Sequence, residues 1–337
     1  MSHAQPLTLN ELRELAQADP ALSGFSPLAE RNVLLVDLAA HSLSLAEQDR
    51  IAAWLRQLPC PSIALAGNLL GDDLITQTFD VVVEDATAVA PLLACIQHSP
   101  IAATLLVQLL RVTETLPLAD ALTMESLAYS TLQSGPEFGR WIKTHRAPEP
   151  ATHTDHGPAV VMTRDAATLT LELNRASNRN GMTVEMRDAL IQALQLVLAD
   201  DSIRHVHISG RGKCFSTGGD LTEFGSAPDP ATAHVVRSLA LPGRLLAQCA
   251  ARVEVRVHGA CIGSGIEFPA FASRIVAAKD AYFQLPELKY GLIPGAGGTV
   301  SIAQRIGRQR TAWLALSGRR INARQALAWG LVDRVDD

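Results

Sequence analysis

Two glutamates occur in unusually apolar stretches of the sequence. Glu267 is the single charged residue of GACIGSGIEFPAFAS, and Glu287 follows 20 residues later in FQLPELKYGL. Burial penalises the charged form of a carboxyl group, so both side chains are expected to have raised pKa values. Two such groups side by side could exchange protons with a substrate near neutral pH, which is what general acid–base chemistry requires.

Each glutamate also has a purely structural interpretation. Glu267 could be a first-turn acid that the positive end of a helix dipole stabilises. Glu287 could form an ordinary surface ion pair with Lys289 or Arg274. The residues alone leave both interpretations open beside the catalytic one.

Two glycine-rich turns accompany the glutamates: CFSTGGDL at 214–221 and HGACIGSGIEF at 258–268. Each follows a predicted strand and is expected to open a helix, so its backbone N–H groups could face an anion or a developing oxyanion. Such turns can equally be tight corners and nothing more. Neither matches GxxxxGK[ST] or a complete GxGxxG, which argues against a nucleotide-phosphate loop.

Other catalytic constellations find little support. No serine lies in a GxSxG elbow, which argues against a serine hydrolase. The five cysteines are odd in number and lack a CxxC spacing, so neither a zinc site nor a disulfide framework is suggested. His205, His207 and His258 are interpreted as structural. The pattern indicates acyl chemistry without a metal ion or a covalent nucleophile.

The elements that must position these residues form an α/β pattern. Residues 159–174 predict a hairpin in which Leu169, Leu171 and Leu173 alternate with polar residues, and 184–199 predicts a helix with one apolar stripe. IRHVHISG and RVEVRVHG predict further strands, and RIVAAKDAYFQ predicts a strand pair. Upstream, 31–84 mixes short apolar runs with a helix near 44–58, 86–146 looks wholly helical, and 144–157 is typical of a linker.

Composition narrows the class of partner. The 337 residues suggest about two folding units, and 29 Lys and Arg against 34 Asp and Glu give a net charge of −5. This balance and the 4% aromatic content argue against nucleic-acid binding. The N-terminus lacks a signal-peptide pattern, and no apolar run approaches the length of a membrane span. We therefore expect a soluble cytoplasmic protein with no membrane or nucleic-acid partner.

At these motifs the sequence becomes recognisable: from about residue 159 to the end it resembles the crotonase (enoyl-CoA hydratase/isomerase) superfamily. The matching stretches follow the family's order and spacing: LNRASNRNGMTVEMRDAL, GRGKCFSTGGDLTEFG, VHGACIGSGIE, FQLPELKYGLIPGAGGTVSIAQRIG and LSGRRINARQALAWGLVDRV.

The resemblance implies a role for each matching residue. Gly219 and Ser264 fall on the two backbone N–H groups of the family's oxyanion hole, with Ser264 in place of the commoner glycine. Glu267 and Glu287 fall on the two catalytic glutamates. Residues of the loops that hold coenzyme A, or that are candidates to contact its phosphates, are Asn178, Arg179, Gly181, Lys213, Thr217, Gly218 and Asp220. No metal and no cofactor is expected, because coenzyme A enters as part of the substrate.

The function that the resemblance implies is an enoyl-CoA hydratase, which adds water reversibly to the double bond of a 2-enoyl-CoA thioester. In this mechanism Glu267 activates water at C3 and Glu287 delivers a proton to C2. Two alternatives stay open. The chain could be a double-bond isomerase or another acyl-CoA lyase or hydrolase of the superfamily, or a non-catalytic acyl-CoA-binding subunit.

The chain departs from the family in the order of its segments. Family members continue after GLVDRV with a helical tail, whereas this chain stops at Asp337, and the helical block before the core resembles that tail. We therefore expect four parts: a degenerate α/β region at 1–84, a helical segment at 85–146, a linker at 147–157 and a crotonase-like ββα spiral core at 158–337. The helical segment is expected to take the place of the tail, and the alternative is an unrelated helical domain. The resemblance also implies a homo-oligomer, a trimer or a dimer of trimers.

Overall fold

A computed structural model describes residues 5–18, 22, 24–29, 31–38, 43–66, 74–145 and 155–336. The described chain is mixed α/β, with three sheets. The strands are β1 (Leu7–Thr8), β2 (Leu34–Asp37), β3 (Ser62–Leu65), β4 (Val81–Val83), β5 (Val160–Asp165), β6 (Thr168–Leu173), β7 (His205–Gly210), β8 (Val253–Val257), β9 (Ala260–Ile262), β10 (Arg274–Ala278), β11 (Tyr282–Gln284), β12 (Ile321–Asn322) and β13 (Arg334–Asp336).

The α-helices fall into two sets. Those of the first half are α1 (Leu9–Ala18), α2 (Leu45–Gln57), α3 (Leu74–Thr78), α4 (Val89–His98), α5 (Pro100–Thr113), α6 (Leu118–Gln133) and α7 (Pro136–Thr144). Those of the second half are α8 (Val184–Ala199), α9 (Pro230–Leu239), α10 (Pro242–Cys249), α11 (Ser264–Glu267), α12 (Gly298–Ile306), α13 (Arg308–Ser317) and α14 (Ala323–Trp329).

The largest sheet has the strand order β13-β10-β8-β7-β6-β5. The predicted hairpin is present as the antiparallel pair β5–β6, and every other neighbouring pair in this sheet is parallel. Leu169, Leu171 and Leu173 are buried on one face of β6, which confirms the alternation read from the sequence. The predicted helix over 184–199 is also present, with Thr183 as its N-cap.

Two expectations about local structure were wrong. RIVAAKDAYFQ forms two strands, but β10 belongs to the six-stranded sheet while β11 pairs with β9 and β12 in a three-stranded sheet. The turn at 214–221 does not open a helix: Asp220 accepts hydrogen bonds from the N–H and hydroxyl of Thr222, and turns continue until α9 begins at Pro230. A side chain that bonds the backbone locally in this way competes with helix formation.

The first half of the chain contributes a four-stranded parallel sheet, β1-β2-β3-β4, and four successive helices, α4–α7. These helices pack on the second half: α4 and α5 contact α13, α5 and α6 contact α12, and α6 contacts α9. Most of the expected linker, 146–154, lies outside the described residues. The four-part division and the idea that 85–146 takes the place of the family tail stay predictions.

No single helix of the described chain is both long and apolar enough to span a bilayer. By length and composition alone, α4 with its preceding turn and α5 would pass such a test together, although the two are bent by 110°.

A buried ion-pair cluster links the N-terminal sheet to the C-terminal half. Asp80, 1% exposed, accepts hydrogen bonds from Arg111 (Nε–Oδ1 2.8 Å) and Arg308 (Nη1–Oδ1 3.3 Å), and from the N–H and hydroxyl of Ser62. Removing one partner of such a cluster leaves buried charge uncompensated, which is more costly than replacing the whole cluster.

We expect Asp80→Asn to lower the free energy of unfolding by about 3 kcal/mol, because it removes the buried carboxylate that Arg111 and Arg308 share and leaves Arg308 only the exposed Glu114. The measurement is urea unfolding followed by circular dichroism. The control is Glu172→Gln, which removes a surface ion pair with Arg211 and should cost less than about 1 kcal/mol. Equal losses in the two variants would contradict the prediction.

Candidate active site

The two glycine-rich turns lie against each other at one end of the core. A parallel bridge joins Ser216 to Cys261, with Ser216 N–H donating to Ala260 O and Ile262 N–H donating to Ser216 O. Two glycines permit this approach. A Cβ on Gly218, at φ +85°, would lie 2.5 Å from Ile262 O, and a Cβ on Gly265 would lie 2.4 Å from Ser216 O.

The backbone of both turns presents N–H groups without a partner. A bridge to Met182 uses Gly218 O and Asp220 N–H, and because successive peptide groups point to opposite sides, the N–H of Gly219 faces away from it. Ser264 is the first residue of α11, where N–H groups have no acceptor within the helix. Among the described residues neither the Gly219 nor the Ser264 N–H donates a hydrogen bond.

Glu267 ends the single turn of α11 and is 2% exposed. Its Oε2 accepts hydrogen bonds from Ala296 N–H (2.7 Å) and Gly298 N–H (3.0 Å), in the turn that begins α12. Such a pair of donors favours the ionised form of a carboxyl group. The close approach requires a glycine, because a Cβ on Gly298 would lie 2.5 Å from Glu267 Cγ.

Glu287 begins the short 3₁₀ turn Glu287–Tyr290 that follows β11. The structure brings it beside Glu267: a Cβ on Gly263 would lie 2.7 Å from Glu287 Oε1 and 3.8 Å from Glu267 Oε1. Gly263 also adopts φ +51°. Any other residue here would therefore have a strained backbone and a Cβ that clashes with Glu287. No ion pair of Glu287 with Lys289 or Arg274 is present among the described residues; Arg274 pairs with Glu254.

Burial raises the pKa of both glutamates. For Glu287 desolvation brings the pKa to about 8, with the charge of Glu125 adding to it. For Glu267 desolvation again acts first, the charges of Glu287 and Glu125 raise the pKa further, and the two N–H donors oppose the rise. Two carboxyl groups so placed share protons as a coupled pair near neutral pH.

Two cavities meet at these residues. One, of about 440 Å³, is lined by the loop at 177–181, the turn at 217–222 and Tyr290. The other, of about 490 Å³, contains both Glu267 and Ser264 and has largely apolar walls from Met182, Val236 and other residues. Both cavities are bordered by Gly219, Phe224 and Glu287, so the 214–221 turn stands between them.

Most of the expected coenzyme A residues line the first cavity, namely Asn178, Arg179, Gly181, Thr217, Gly218 and Asp220. Arg179 is exposed at the rim of this cavity, so its cationic side chain is available to a phosphate. Its backbone adopts φ +60°. The Asp220 carboxylate is engaged by Thr222, which gives it a turn-forming role. Lys213 is exposed and does not line either cavity, so the structure does not bring it together with the others.

Three side-chain atoms in these cavities are buried without a hydrogen-bond partner: Asn178 Nδ2, Ser264 Oγ and Glu287 Oε2. Buried polar atoms are nearly always paired, so three exceptions at one place indicate where a ligand would supply the partners. The sequence reasoning missed three further residues, Glu125, Tyr129 and Arg237, which come from α6 and α9. Their signal was weak, because polar residues in an amphipathic helix ordinarily face water.

The comparisons with known proteins agree with this geometry. The family model for enoyl-CoA hydratase/isomerase matches residues 163–337. The chain belongs to this family, within the crotonase superfamily. A 2,3-dehydroadipyl-CoA hydratase of Escherichia coli (strain K12) is 33% identical over 176 residues, covering 52% of this chain and 68% of that protein. A 1,2-epoxyphenylacetyl-CoA isomerase of the same organism is 35% identical, covering 50% of this chain and 66% of that protein.

A solved structure shows the same fold. The crystal structure of a protein assigned as an enoyl-CoA hydratase, from Rhodopseudomonas palustris CGA009, is 32% identical with a TM-score of 0.50, and covers 53% of this chain and 69% of that chain. The chain thus spans about two thirds of the length of these relatives, and its first 162 residues lie outside the family match. The crotonase fold of the second half is confirmed, as is the membership read from the motifs.

We expect Glu287→Gln to stabilise the protein at pH 8 by at least about 1 kcal/mol and to have little effect near pH 4. The raised pKa means that the folded chain holds this proton more tightly than the unfolded chain, so stability falls as pH rises from about 4.5 to about 8. Glutamine stays neutral and avoids that loss.

The measurement is thermal unfolding of the two proteins at several pH values. Glu172→Gln, at a partly exposed ion pair on β6, is the matched control for loss of a carboxylate elsewhere. A stability difference between wild type and Glu287→Gln that does not grow with pH would contradict the assignment of a raised pKa to Glu287.

Proposed function

We propose that this protein is an enoyl-CoA hydratase. The observation that carries the proposal is the convergence of two carboxyl groups on one point above Gly263, beside the two unpaired N–H groups of Gly219 and Ser264. Hydration needs both a base for water and an acid for carbon, on the same face as a site for the thioester oxygen. All of these groups line the cavities described above.

Substrate binding follows from the two cavities. The coenzyme A portion would occupy the cavity of the 177–181 loop, and the acyl chain would extend into the apolar cavity. The thioester oxygen would then accept hydrogen bonds from Gly219 and Ser264. These donors are fixed by the bridge between the turns, so they stabilise charge on oxygen without reorganising.

The roles of the two glutamates differ because their partners differ. Burial and the charges of Glu287 and Glu125 raise the pKa of Glu267, so that it binds a proton readily, and two backbone N–H groups stabilise its ionised form, a combination that suits a base. Glu287 Oε2 has no partner and burial holds the Glu287 pKa near 8, so this group carries a proton at neutral pH and suits an acid. Glu267 would take a proton from water as the hydroxyl adds to C3, and Glu287 would give its proton to C2.

The step is balanced. The C2–C3 double bond is lost, a C3–O bond and a C2–H bond form, and the negative charge that develops on the thioester oxygen returns to C2 as the proton arrives. One proton passes from Glu287 to carbon and one from water to Glu267, so exchange between the two groups and solvent restores the starting state. Dehydration uses the same groups in reverse.

A double-bond isomerase is the second candidate, and it is favoured by a similar protein, a trans-2-decenoyl-[acyl-carrier-protein] isomerase of Streptococcus mutans that is 30% identical over 175 residues. Isomerisation moves a proton between two carbons and leaves the mass unchanged, whereas hydration adds one water. Another acyl-CoA lyase or hydrolase of the superfamily, and a non-catalytic acyl-CoA-binding subunit, are outcomes of the same test. The cytoplasmic location, the trimer or dimer of trimers and the role of Lys213 stay predictions.

We expect the purified protein to convert one or more 2-enoyl-CoA thioesters into products heavier by one water. Glu267→Gln and Glu287→Gln should each lower kcat by about 10²–10⁴, because each removes a proton-transfer group. The measurement is a screen of enoyl-CoA chain lengths by mass spectrometry, followed by kinetics on the best substrate.

A product of unchanged mass would show an isomerase, in which Glu287 carries the reaction and Glu267→Gln retains activity. Binding of acyl-CoA by calorimetry without any turnover would show a binding subunit. Either result would overturn the hydratase proposal.

We expect Ser264→Ala to keep kcat within about threefold of wild type, because the oxyanion would use the backbone N–H and not the hydroxyl. Kinetics on the same substrate measure this. A loss of about 10² or more, with the variant still folded, would show that Ser264 Oγ itself contacts the reacting group.

A further inference from the structure

Four consecutive backbone N–H groups, at 296–299, lead into α12, and two carboxylates share them in alternation. Glu267 Oε2 accepts from Ala296 and Gly298, and Glu125 accepts from Gly297 (2.7 Å) and Thr299 (2.9 Å). Glu125 also accepts the Thr299 hydroxyl at 2.6 Å. The first four N–H groups of a helix have no acceptor within it, so this turn is satisfied only when both glutamates are in place.

Water has little access to the Glu125 side of this turn. Glu125 and Glu267 are each 2% exposed, and Thr299 is completely buried. An N–H group left without an acceptor in such a place costs about 1–3 kcal/mol, so the turn would shift to find one. A shift of the turn would move the two N–H groups that hold Glu267.

Glu125 comes from α6, in the half of the chain outside the family match. Its helix is fixed to the second half by Arg237 of α9, whose guanidinium donates to Ser126, Ser130 and Gln133 and lies 4.6 Å from the centre of the Tyr129 ring. Tyr129 in turn packs on Gly295, where a Cβ would lie 2.3 Å from its ring. The same helix therefore fixes both ends of the 295–299 turn.

We propose that Glu125 is a positioning residue for Glu267: it holds the 296–299 turn in the conformation that binds Glu267 Oε2, so that Glu267 Oε1 stays directed at the point shared with Glu287. The inference rests on the proposed function in so far as Glu267 is the base. Its consequence is that the reaction centre is assembled from both halves of the chain.

The alternative is that Glu125 is simply a helix cap that contributes stability. A positioning role and a capping role for Glu125 predict different effects on the pKa of Glu267 as well as on its geometry. The groups that face Glu267 are Glu287, Glu125, Tyr129 and, on the far side of Tyr129, Arg237. The charge of Glu125 raises the pKa of Glu267, so removing that charge should lower this pKa.

The experiment compares wild type, Glu125→Gln and Glu125→Asp on the best 2-enoyl-CoA substrate. Glutamine keeps the size but removes the charge, and its NH₂ group cannot accept from the turn. For Glu125→Gln we expect kcat to fall by about 10–100-fold while KM stays within about threefold of wild type. We also expect the acidic limb of the plot of kcat against pH to move to lower pH. Aspartate keeps the charge on a shorter side chain, so kcat should fall while the limb stays in place.

Glu137→Gln is the matched control. Glu137 belongs to the same half of the chain, is 6% exposed and accepts two backbone N–H groups, Ile101 (2.8 Å) and Ala102 (2.9 Å), at the start of α5. It should lower thermal stability as Glu125→Gln does, yet leave the pH profile and kcat unchanged. Kinetics for Glu125→Gln that match wild type or the control would overturn the proposal.

Hydrogen exchange gives a readout that does not depend on turnover. With residue-level resolution by mass spectrometry, Glu125→Gln should speed exchange at Ala296 and Gly298, which Glu267 binds, as well as at Gly297 and Thr299. Faster exchange at Gly297 and Thr299 alone would show that Glu267 keeps its place without Glu125, and would overturn the proposal. Absence of turnover in wild type would instead count against the proposed function, and the exchange result would still decide the positioning.

Discussion

The start of α12 imposes the strongest constraint on this site. Of its four adjacent N–H groups, those of residues 297–299 are buried and that of Ala296 is half-buried, and acceptors from elsewhere in the chain satisfy all four. Carboxylates are the strongest acceptors available, but burying a carboxylate is costly unless donors meet it. Helix and glutamates therefore depend on each other. The N–H groups make it possible to bury Glu267 and Glu125, and the glutamates make it possible to bury the helix end beside the cavity.

The same constraint explains why the two halves of the chain are joined so closely. One of the two acceptors is 172 residues from the N–H groups it binds, on α6. Holding it there requires α6 to be fixed on α9 and α12, which Arg237 and Tyr129 accomplish. The buried cluster around Asp80 fixes the N-terminal sheet to α13 in a comparable way. The two halves of the chain therefore share buried charges, while the number of independent folding units stays a prediction.

Local patterns predicted those parts of the structure that local physics decides. The alternating leucines of β6 and the apolar stripe of α8 reflect a period set by the backbone itself, so sequence was sufficient. Glu267 and Glu287 could be found because a carboxylate in an apolar run has few explanations. The turn at 214–221 was misread because Asp220 and Thr222 satisfy the backbone locally, and the paired strands were misread because β10 and β11 diverge into different sheets.

Glu125 could not be predicted, because nothing in LADALTMESLAYSTLQ distinguishes it from a surface acid. Its burial is a property of what packs on the helix. Three carboxyl groups within reach of one another, with Arg237 as the nearby cation, cannot all be charged at neutral pH. Glu267 and Glu125 have N–H donors that support a charge, whereas Glu287 lacks donors from the turn. The cluster therefore keeps protons at neutral pH, and Glu287, with its pKa raised by burial to about 8, is one of the groups that hold them.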